Sequence, residues 1–230
     1  MKLIILAAGK GKRFSPITHK TPKGMIPILG KPLLAHIVEP YLPHVSDIIF
    51  VISNPLGRKI KDFFKKNYRG HKVFYKIQKE QRGTMDALMT CQNLIKDHEL
   101  FCVSNGDDLL SPEDIKNALG KGVIGSGVSK KIMPKNYLGV QVHKKYILGF
   151  VRHGENKNTI EDVFYNGFNV LDHRVFHFQP ITTRDGELGL PHTLFANLDT
   201  YPLEAFNFKA WETVNSPKDI AHAEKFLKDN

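Results

Sequence analysis

Short apolar runs alternate with amphipathic stretches along the first half of the chain. The strand-length apolar runs cover residues 2–8, 47–53, 72–78 and 99–105. Apolar residues recur at helical spacing over 33–42, after Pro55 (Ile60, Phe63, Phe64 and Tyr68) and over 83–95. This alternation predicts an α/β protein with a Rossmann-like mixed, mostly parallel sheet flanked by helices. Ligands of such sheets bind beyond the carboxyl ends of the strands.

The second half has a different pattern, in which short apolar stretches are separated by polar turns. The predicted strands are 122–128, 137–143, 146–152, 164–171 and about 204–211, and 179–195 is predicted to be an irregular loop. A last helix is expected after Asn215, with Ser216 as its N-cap and Asp219 as the acid of a capping box. Because repeats and low-complexity linkers are absent from the sequence, we expect one domain with a β-rich second half.

Composition narrows the class of protein. The 230 residues are 41% hydrophobic and 24% charged, which is typical of soluble globular proteins. The apolar runs are too short for a transmembrane helix, and the one at residues 2–8 is too short for a signal peptide. Cys91 and Cys102 make neither a disulfide framework nor a metal-binding spacing, which favours a cytoplasmic location. The net charge of +10 favours polyanionic partners, but no nucleic-acid-binding motif accompanies it.

A glycine-rich, basic loop follows the first apolar run. It reads Gly9-Lys10-Gly11-Lys12-Arg13. Glycine lets backbone N–H groups approach phosphate oxygens, and Arg13 adds a bidentate cation. A dinucleotide-binding fingerprint would need glycine in place of Phe14 and an acid in place of Ser53-Asn54, and the Gly-Lys-Ser/Thr of a P-loop is absent. The loop therefore predicts a polyphosphate site of another type.

The loop is part of a longer pattern. It reads Leu6-Ala7-Ala8-Gly9-Lys10-Gly11-Lys12-Arg13, followed by Pro16-Ile17-Thr18-His19-Lys20-Thr21-Pro22-Lys23. This pattern resembles the signature of the sugar-1-phosphate nucleotidyltransferases, or nucleoside-diphosphate-sugar pyrophosphorylases, and the resemblance extends over most of the chain. It implies catalytic roles for Arg13 and Lys23 and nucleotide binding by Leu6, Ala8, Gly9, Gly11 and Lys12. Lys12 departs from the Thr or Ser of the family and adds a cation near the phosphates.

Two further signatures of this family are present. Gln78, Gly83 and Thr84 match a segment that reads the base of the nucleotide, and the side-chain amide of Gln78 has both a donor and an acceptor for a base edge. Gly106-Asp107 resembles the Gly-Asp that holds Mg²⁺, a hard cation that prefers carboxylate oxygen. The second metal ligand of the family aligns best with Asn215, with Thr213 as the competing alignment. Asn215 is also a candidate helix cap, and Asp108 is expected to point away from the metal.

The acceptor side is matched less closely. Gly139, Asn166, Gly167 and Glu187 lie in segments that resemble sugar-lining segments of the family, although each segment alone also fits a turn or a strand end. Where the family commonly has Val-Glu-Lys-Pro, this chain has Val151-Arg152-His153-Gly154. We expect Arg152 and His153 to face the acceptor, His153 as a weaker, pH-dependent phosphate ligand.

The resemblance implies an enzyme, a nucleotidyltransferase that moves a nucleotidyl group from an NTP to a sugar 1-phosphate and releases pyrophosphate by Mg²⁺-assisted in-line displacement. Residues 1–120 would form the nucleotide-binding part of the single domain, and 121–230 the acceptor-binding part with the C-terminal helix. UTP, dTTP, GTP and CTP all remain candidates, because Gln78 alone can pair with several base edges.

Two alternatives stay open. One is a cytidylyltransferase for a non-sugar phosphate such as phosphocholine, whose quaternary amine would need an aromatic cage. The aromatic residues available for such a cage are Phe164, Tyr165, Phe168 and Trp211. The other is a non-catalytic nucleotide-sugar-binding subunit with the same fold. A nucleic-acid binder is supported by charge alone.

Overall fold

The computed structural model describes residues 1–130, 138–151 and 161–230, with the backbone only at residues 161 and 162. The strands are β1 (Lys2–Leu6), β2 (Pro27–Ile28), β3 (Lys31–Pro32), β4 (Asp47–Ile52), β5 (Asn67–Tyr68), β6 (His71–Ile77), β7 (Phe101–Asn105), β8 (Asp108–Leu110), β9 (Gly125–Ser129), β10 (Gly139–His143), β11 (Tyr146–Phe150), β12 (Glu161–Leu171), β13 (Glu204–Asn207) and β14 (Trp211–Thr213). The helices are α1 (Leu33–Val38), α2 (Gly57–Phe64), α3 (Thr84–Met89), α4 (Pro112–Gly120), α5 (Leu190–Phe195) and α6 (Ile220–Asp229).

The main sheet has the strand order β10-β11-β13-β9-β12-β7-β1-β4-β6-β5 within the described residues. Strands β7, β1, β4 and β6 are parallel, with Ile4 opposite Ile49 on one side and Val103 on the other. Alternate residues of β1 enter separate cores, since Leu3 and Ile5 pack on one face and Ile4 packs on the other. This two-sided burial explains why the parallel strands are continuous apolar runs. The predicted mixed sheet flanked by helices is confirmed.

The second half of the chain extends the sheet mainly by antiparallel pairing. The long strand β12 pairs with β7, β9 and β10, all antiparallel, while β13 is parallel to β9. The register between β12 and β9 shifts between Tyr165 and Asn169. Asn166 and Gly167 lie in this irregular stretch, and Gly167 has a φ of +83°. Because a bulge re-aims side chains, this stretch can present Asn166 differently from a regular strand residue.

Three sequence predictions in the second half and around α3 were wrong in extent. The strand predicted at 204–211 is two strands in different sheets, because the buried carboxylate of Asp114 accepts hydrogen bonds from the Lys209 and Ala210 N–H groups and turns the chain between them. The loop predicted at 179–195 ends in helix α5. The helix predicted at 83–95 stops at Met89, where the Thr90 hydroxyl donates to the Ala87 carbonyl and competes with helical bonding.

Smaller differences between prediction and structure concern elements that the pattern of apolar residues does not predict well. Tyr68, predicted on the second helix, lies in β5, because Lys65 at a φ of +54° ends α2. Strand β8 and helix α4 were not predicted. The capping box at the last helix is confirmed, with Ser216 and Asp219 bonded reciprocally. In the described part of the chain, none of the helices is long and apolar enough to cross a membrane.

Candidate active site

Two adjoining cavities lie at the carboxyl ends of β1, β6 and β7. The first, about 470 Å³, is called the loop cavity because the glycine-rich loop lines it. The second, about 320 Å³, is called the bulge cavity because Asn166 and Gly167 of β12 line it. The residues that line both cavities are Arg13, Thr84, Asn105, Asp107, Glu187 and Asn215. A hollow of about 530 Å³ beside α6 is larger, but none of the predicted site residues lines it.

The loop cavity collects the predicted nucleotide-binding residues. Its lining includes Leu6, Ala8, Gly9, Gly11, Lys12, Gln78, Gly83 and Thr84, together with Arg13 and Lys23. Gly11 has a φ of +60°, and a Cβ there would lie 2.9 Å from the Thr18 side chain. The Thr18 hydroxyl donates to the Gly11 carbonyl at 2.9 Å, which ties the loop to the segment that carries Lys23. The positive φ explains why glycine is required at position 11.

Asp107 and Asn215 are brought together by long-range pairing. Strands β8 and β14 are antiparallel, and the Val214 N–H donates to the Asp107 carbonyl at 2.9 Å. Each predicted metal ligand contacts one catalytic candidate. The Lys23 ammonium lies 2.6 Å from Oδ2 of Asp107, and Nη2 of Arg13 donates to Oδ1 of Asn215 at 2.8 Å. The two basic side chains and the two oxygen ligands therefore form one mixed cluster, in which Arg13, Asp107 and Asn215 line both cavities and Lys23 lines the loop cavity.

Asp108 points away from this cluster, as expected, and into the protein. Its Oδ1 accepts from Nε1 of Trp211 and its Oδ2 from Nδ2 of Asn105, both at 2.9 Å. Burial, and then the neighbouring charge of Asp107, raises the pKa of Asp108 to about 7, although hydrogen bonds from Trp211, Asn105 and Thr213 act in the opposite direction. Asp108 thus connects the ends of β7 and β14 directly beneath the cluster.

The amide of Gln78 is less free than the sequence suggests. Its Nε2 donates to the Gly83 carbonyl at 2.9 Å and to Oδ2 of Asp86 at 2.8 Å. The donor half of this side chain is therefore occupied within the protein, and base reading by Gln78 stays a prediction. Gly83 has a φ of +115°, and a Cβ there would lie 2.5 Å from the Leu188 carbonyl oxygen. This close contact packs the start of α3 against the segment that carries Glu187.

The bulge cavity collects part of the predicted acceptor site. Asn166, Gly167 and Glu187 line it, whereas Gly139 lines neither cavity and its neighbour Leu138 lines the bulge cavity. Arg152 and His153 lie outside the described residues. Two buried polar atoms on its lining residues, Nδ2 of Asn166 and Nδ1 of His192, have no hydrogen-bond partner among the described residues. Burial also lowers the pKa of His192, which favours its neutral form.

The four aromatic residues considered for a cage do not converge. Tyr165 and Trp211 line the bulge cavity, but Phe168 is fully buried and packs against Phe206 and Phe208. The polar edges of the two lining residues are also engaged, since the Tyr165 hydroxyl accepts from Asn169 and Trp211 donates to Asp108. Nothing in the sequence singled out Asn105 and His192, which line the cavities, or Asp86, which contacts Gln78, because only the folded chain brings these residues together with the site.

The comparisons with known proteins agree with this arrangement. The profile of the nucleotidyl transferase family matches residues 2–163, and the chain belongs to that family. The bifunctional protein GlmU of Methanococcus maripaludis strain C5 is 30% identical over 232 residues, which cover 97% of this chain and 53% of that protein. The chain thus spans about half the length of the curated relatives it matches.

Solved structures show the same fold. A UDP-glucose pyrophosphorylase in complex with UDP-glucose has a TM-score of 0.85 at 22% identity and covers 100% of this chain and 99% of its own. The inositol-1-phosphate CTP transferase from T. maritima has a TM-score of 0.82 at 23% identity and covers 99% of this chain and 94% of its own. At these identities the likeness concerns the fold alone.

Proposed function

We propose that this protein transfers a nucleotidyl group from an NTP to a sugar 1-phosphate, with release of pyrophosphate. One observation carries the proposal: Arg13, Asp107 and Asn215 line both cavities, and Lys23, which lines the loop cavity, contacts Asp107. The triphosphate would lie along the glycine-rich loop, and the acceptor phosphate would enter from the bulge cavity. Family membership and the GlmU relatives support this reaction class.

The chemistry needs positioned charge rather than a protein nucleophile. A phosphate oxygen of the acceptor, already ionised at neutral pH, attacks the α-phosphorus as the bond to the bridging oxygen of the β-phosphate breaks. Pyrophosphate leaves with that oxygen and its electron pair. Arg13 would stabilise the negative charge of the transition state and the leaving group, and Lys23 would hold the α-phosphate. Arg13 lines both cavities, and Lys23 lines the loop cavity beside Asp107.

Asp107 and Asn215 have the donor set that Mg²⁺ requires. They offer a carboxylate and an amide oxygen on one cavity wall, and Mg²⁺ commonly keeps several waters beside one or two protein ligands. Within the described residues no cluster of three or more His, Cys, Asp or Glu could hold a metal, so a site completed by water and phosphate is the arrangement we propose. When bound, Mg²⁺ would neutralise phosphate charge there.

We assign acceptor binding to Asn166, Gly167 and Glu187, with Gly139, Arg152 and His153 retained from the resemblance. The unpartnered Nδ2 of Asn166 supports an acceptor that carries oxygen atoms, because an unpaired buried donor is costly unless a ligand satisfies it. The hydroxyl groups of a sugar meet this requirement.

A second candidate keeps the fold and changes the substrates to CTP and a non-sugar phosphate. The inositol-1-phosphate CTP transferase structure shares the fold, with a TM-score of 0.82, and so leaves this candidate open. A quaternary amine is less well supported, because Phe168, one of the candidate cage residues, is fully buried against Phe206 and Phe208.

The deciding experiment measures pyrophosphate release from UTP, dTTP, GTP, CTP and ATP against a panel of sugar 1-phosphates, inositol 1-phosphate and phosphocholine, with and without Mg²⁺. We expect release only with Mg²⁺ and a sugar 1-phosphate. Release only with CTP and a non-sugar phosphate would support the second candidate. NTP binding without release for any pair would instead indicate a non-catalytic subunit.

A further inference from the structure

Gln78 is held by two acceptors on the same side of its amide. The residue is 4% exposed and follows β6 directly. Its Nε2 donates to the Gly83 carbonyl and to the Asp86 carboxylate, neither of which can donate in return. The nitrogen must therefore face these two groups, which turns Oε1 to the other side. Oε1 has no hydrogen-bond partner within the described residues, and Gln78 lines the loop cavity.

Asp86 is itself fixed in place. Its Oδ1 accepts from Nη2 of Arg82 at 2.8 Å and from Nε at 3.2 Å, while its Oδ2 accepts from Gln78. The Asp86 side chain is 15% exposed and lies in the first turn of α3. Each carboxylate oxygen thus has its own donor, and the guanidinium prevents the carboxylate from rotating away from Gln78.

We propose that Asp86 is a positioning residue that locks the Gln78 amide and thereby makes this side chain an acceptor-only reader of the nucleobase. The inference rests on the proposed function, because it requires an NTP in the loop cavity. A lone acceptor is matched by a ring N–H, which uracil and thymine have at N3 and guanine has at N1. Cytosine N3 and adenine N1 carry a lone pair at the equivalent edge and repel an acceptor, so these bases could pair with Oε1 only through their exocyclic amines, with the base shifted sideways. The chain therefore prefers UTP, dTTP or GTP to CTP and ATP, and Asp86 maintains that preference.

The test measures the Mg²⁺-dependent affinity of these five nucleotides by calorimetry, which requires binding but not turnover. We expect the full-length protein to bind one of UTP, dTTP and GTP at least about tenfold more tightly than CTP and ATP, the scale of one hydrogen bond against an unpaired group. In Asp86→Ala the Gly83 carbonyl alone holds the Gln78 amide, which is then less firmly fixed, so the preference should fall to about threefold or less. The kcat at saturating NTP should stay within about twofold, because Asp86 does not line either cavity.

A double-mutant cycle separates positioning from a general structural effect. If Asp86 acts through Gln78, then Gln78→Ala and Gln78→Ala/Asp86→Ala have the same base preference. Asp86→Leu, which removes the carboxylate without leaving a cavity, is the second variant if Asp86→Ala does not fold. Glu80→Ala is the matched control, since this exposed acid also lies near Arg82 (3.8 Å) but no hydrogen bond joins it to Gln78 among the described residues. It should keep the preference of the unmodified protein.

The outcomes of the two proposals are distinguishable. Absence of binding for every NTP would overturn the proposed function, and this inference with it. Binding without a base preference, a preference for CTP or ATP, an unchanged preference in Asp86→Ala, or additive effects in the cycle would overturn the role of Asp86 alone.

Discussion

Arg13 lines both cavities and Lys23 lines the loop cavity, and their protein partners are the amide oxygen of Asn215 and the carboxylate of Asp107, respectively. We expect Arg13→Ala to lower kcat/KM by roughly 10²-fold or more, the scale of losing one preorganised donor to transition-state charge. Steady-state pyrophosphate release measures this. Because the Arg13 side chain is exposed, the thermal unfolding of the Arg13→Ala protein should be unchanged.

The matched control for that variant is Arg58→Ala. Arg58 is 87% exposed on α2 and makes only a 3.9 Å ion pair with Asp62 within the described residues. Its kcat/KM should equal that of the unmodified protein. Normal turnover by Arg13→Ala, or an equal loss in Arg58→Ala, would contradict the assigned role of Arg13.

Asp108 gives the protein a pH-dependent stability. The raised pKa, about 7 against 3.8 for an unperturbed carboxyl, means that the folded state keeps a proton that the unfolded state loses. The free energy of unfolding should therefore fall as the pH rises from about 4 to about 7, by at most about 1.4 kcal/mol per pH unit, and level off above that range. Urea unfolding in EDTA between pH 5 and 8 measures this slope.

Asp108→Asn cannot ionise and serves as the comparison. Its absolute stability will differ, because an amide nitrogen would meet the donor of Trp211 or Asn105. The informative quantity is the slope against pH, which should be smaller in the variant. Parallel curves for the two proteins would show that Asp108 does not titrate between folded and unfolded states.

At the scale of elements, the carboxylate of Asp219 both caps the last helix and holds the backbone of Asn215, the predicted metal ligand. Oδ2 of Asp219 accepts from the Ser216 N–H at 2.7 Å and from the Asn215 N–H at 2.8 Å. Ser216→Ala and Asp219→Ala should each lower the free energy of unfolding by about 1 kcal/mol through loss of the cap. Only Asp219→Ala also releases the Asn215 backbone, so only this variant should weaken Mg²⁺ binding in the presence of NTP, as measured by calorimetry. Equal Mg²⁺ affinities would contradict the link.

How far the sequence could predict each element depended on the range of the interactions that form it. Strand β1, the turn at Gly11 and the Ser216 cap are encoded by neighbouring residues, and the sequence predicted them. The division of the stretch 204–211 depends on Asp114, about 95 residues away in the chain, and was missed. The same holds for the site. The loop cavity is lined by a motif of consecutive residues, which the sequence shows directly. His192 lies near the bulge cavity only because the chain folds, and the residues beside it in the sequence do not predict that position.

At the scale of the whole molecule, the site joins the parallel half of the sheet to its antiparallel half. The loop cavity is lined from β1, β6 and β7, and the bulge cavity adds β12, α5 and β14. Strands β8 and β14 connect the halves, because they carry Asp108 and Trp211 and lie next to Asp107 and Asn215. A ligand in one cavity therefore borders residues that also line the other.

Trp211 offers a direct measurement of this connection, because it is the single tryptophan of the chain. Its ring lines the bulge cavity and its Nε1 donates to Asp108. We expect a sugar 1-phosphate that serves as acceptor to change the tryptophan emission in a saturable titration, because the ligand replaces water beside a buried indole. NTP alone, which would occupy the loop cavity, should change it less.

In Asn166→Ala the half-saturating acceptor concentration should rise about tenfold, the scale of one lost hydrogen bond to a ligand. A titration that is identical for NTP and acceptor, or unaltered in Asn166→Ala, would place the acceptor somewhere other than the bulge cavity.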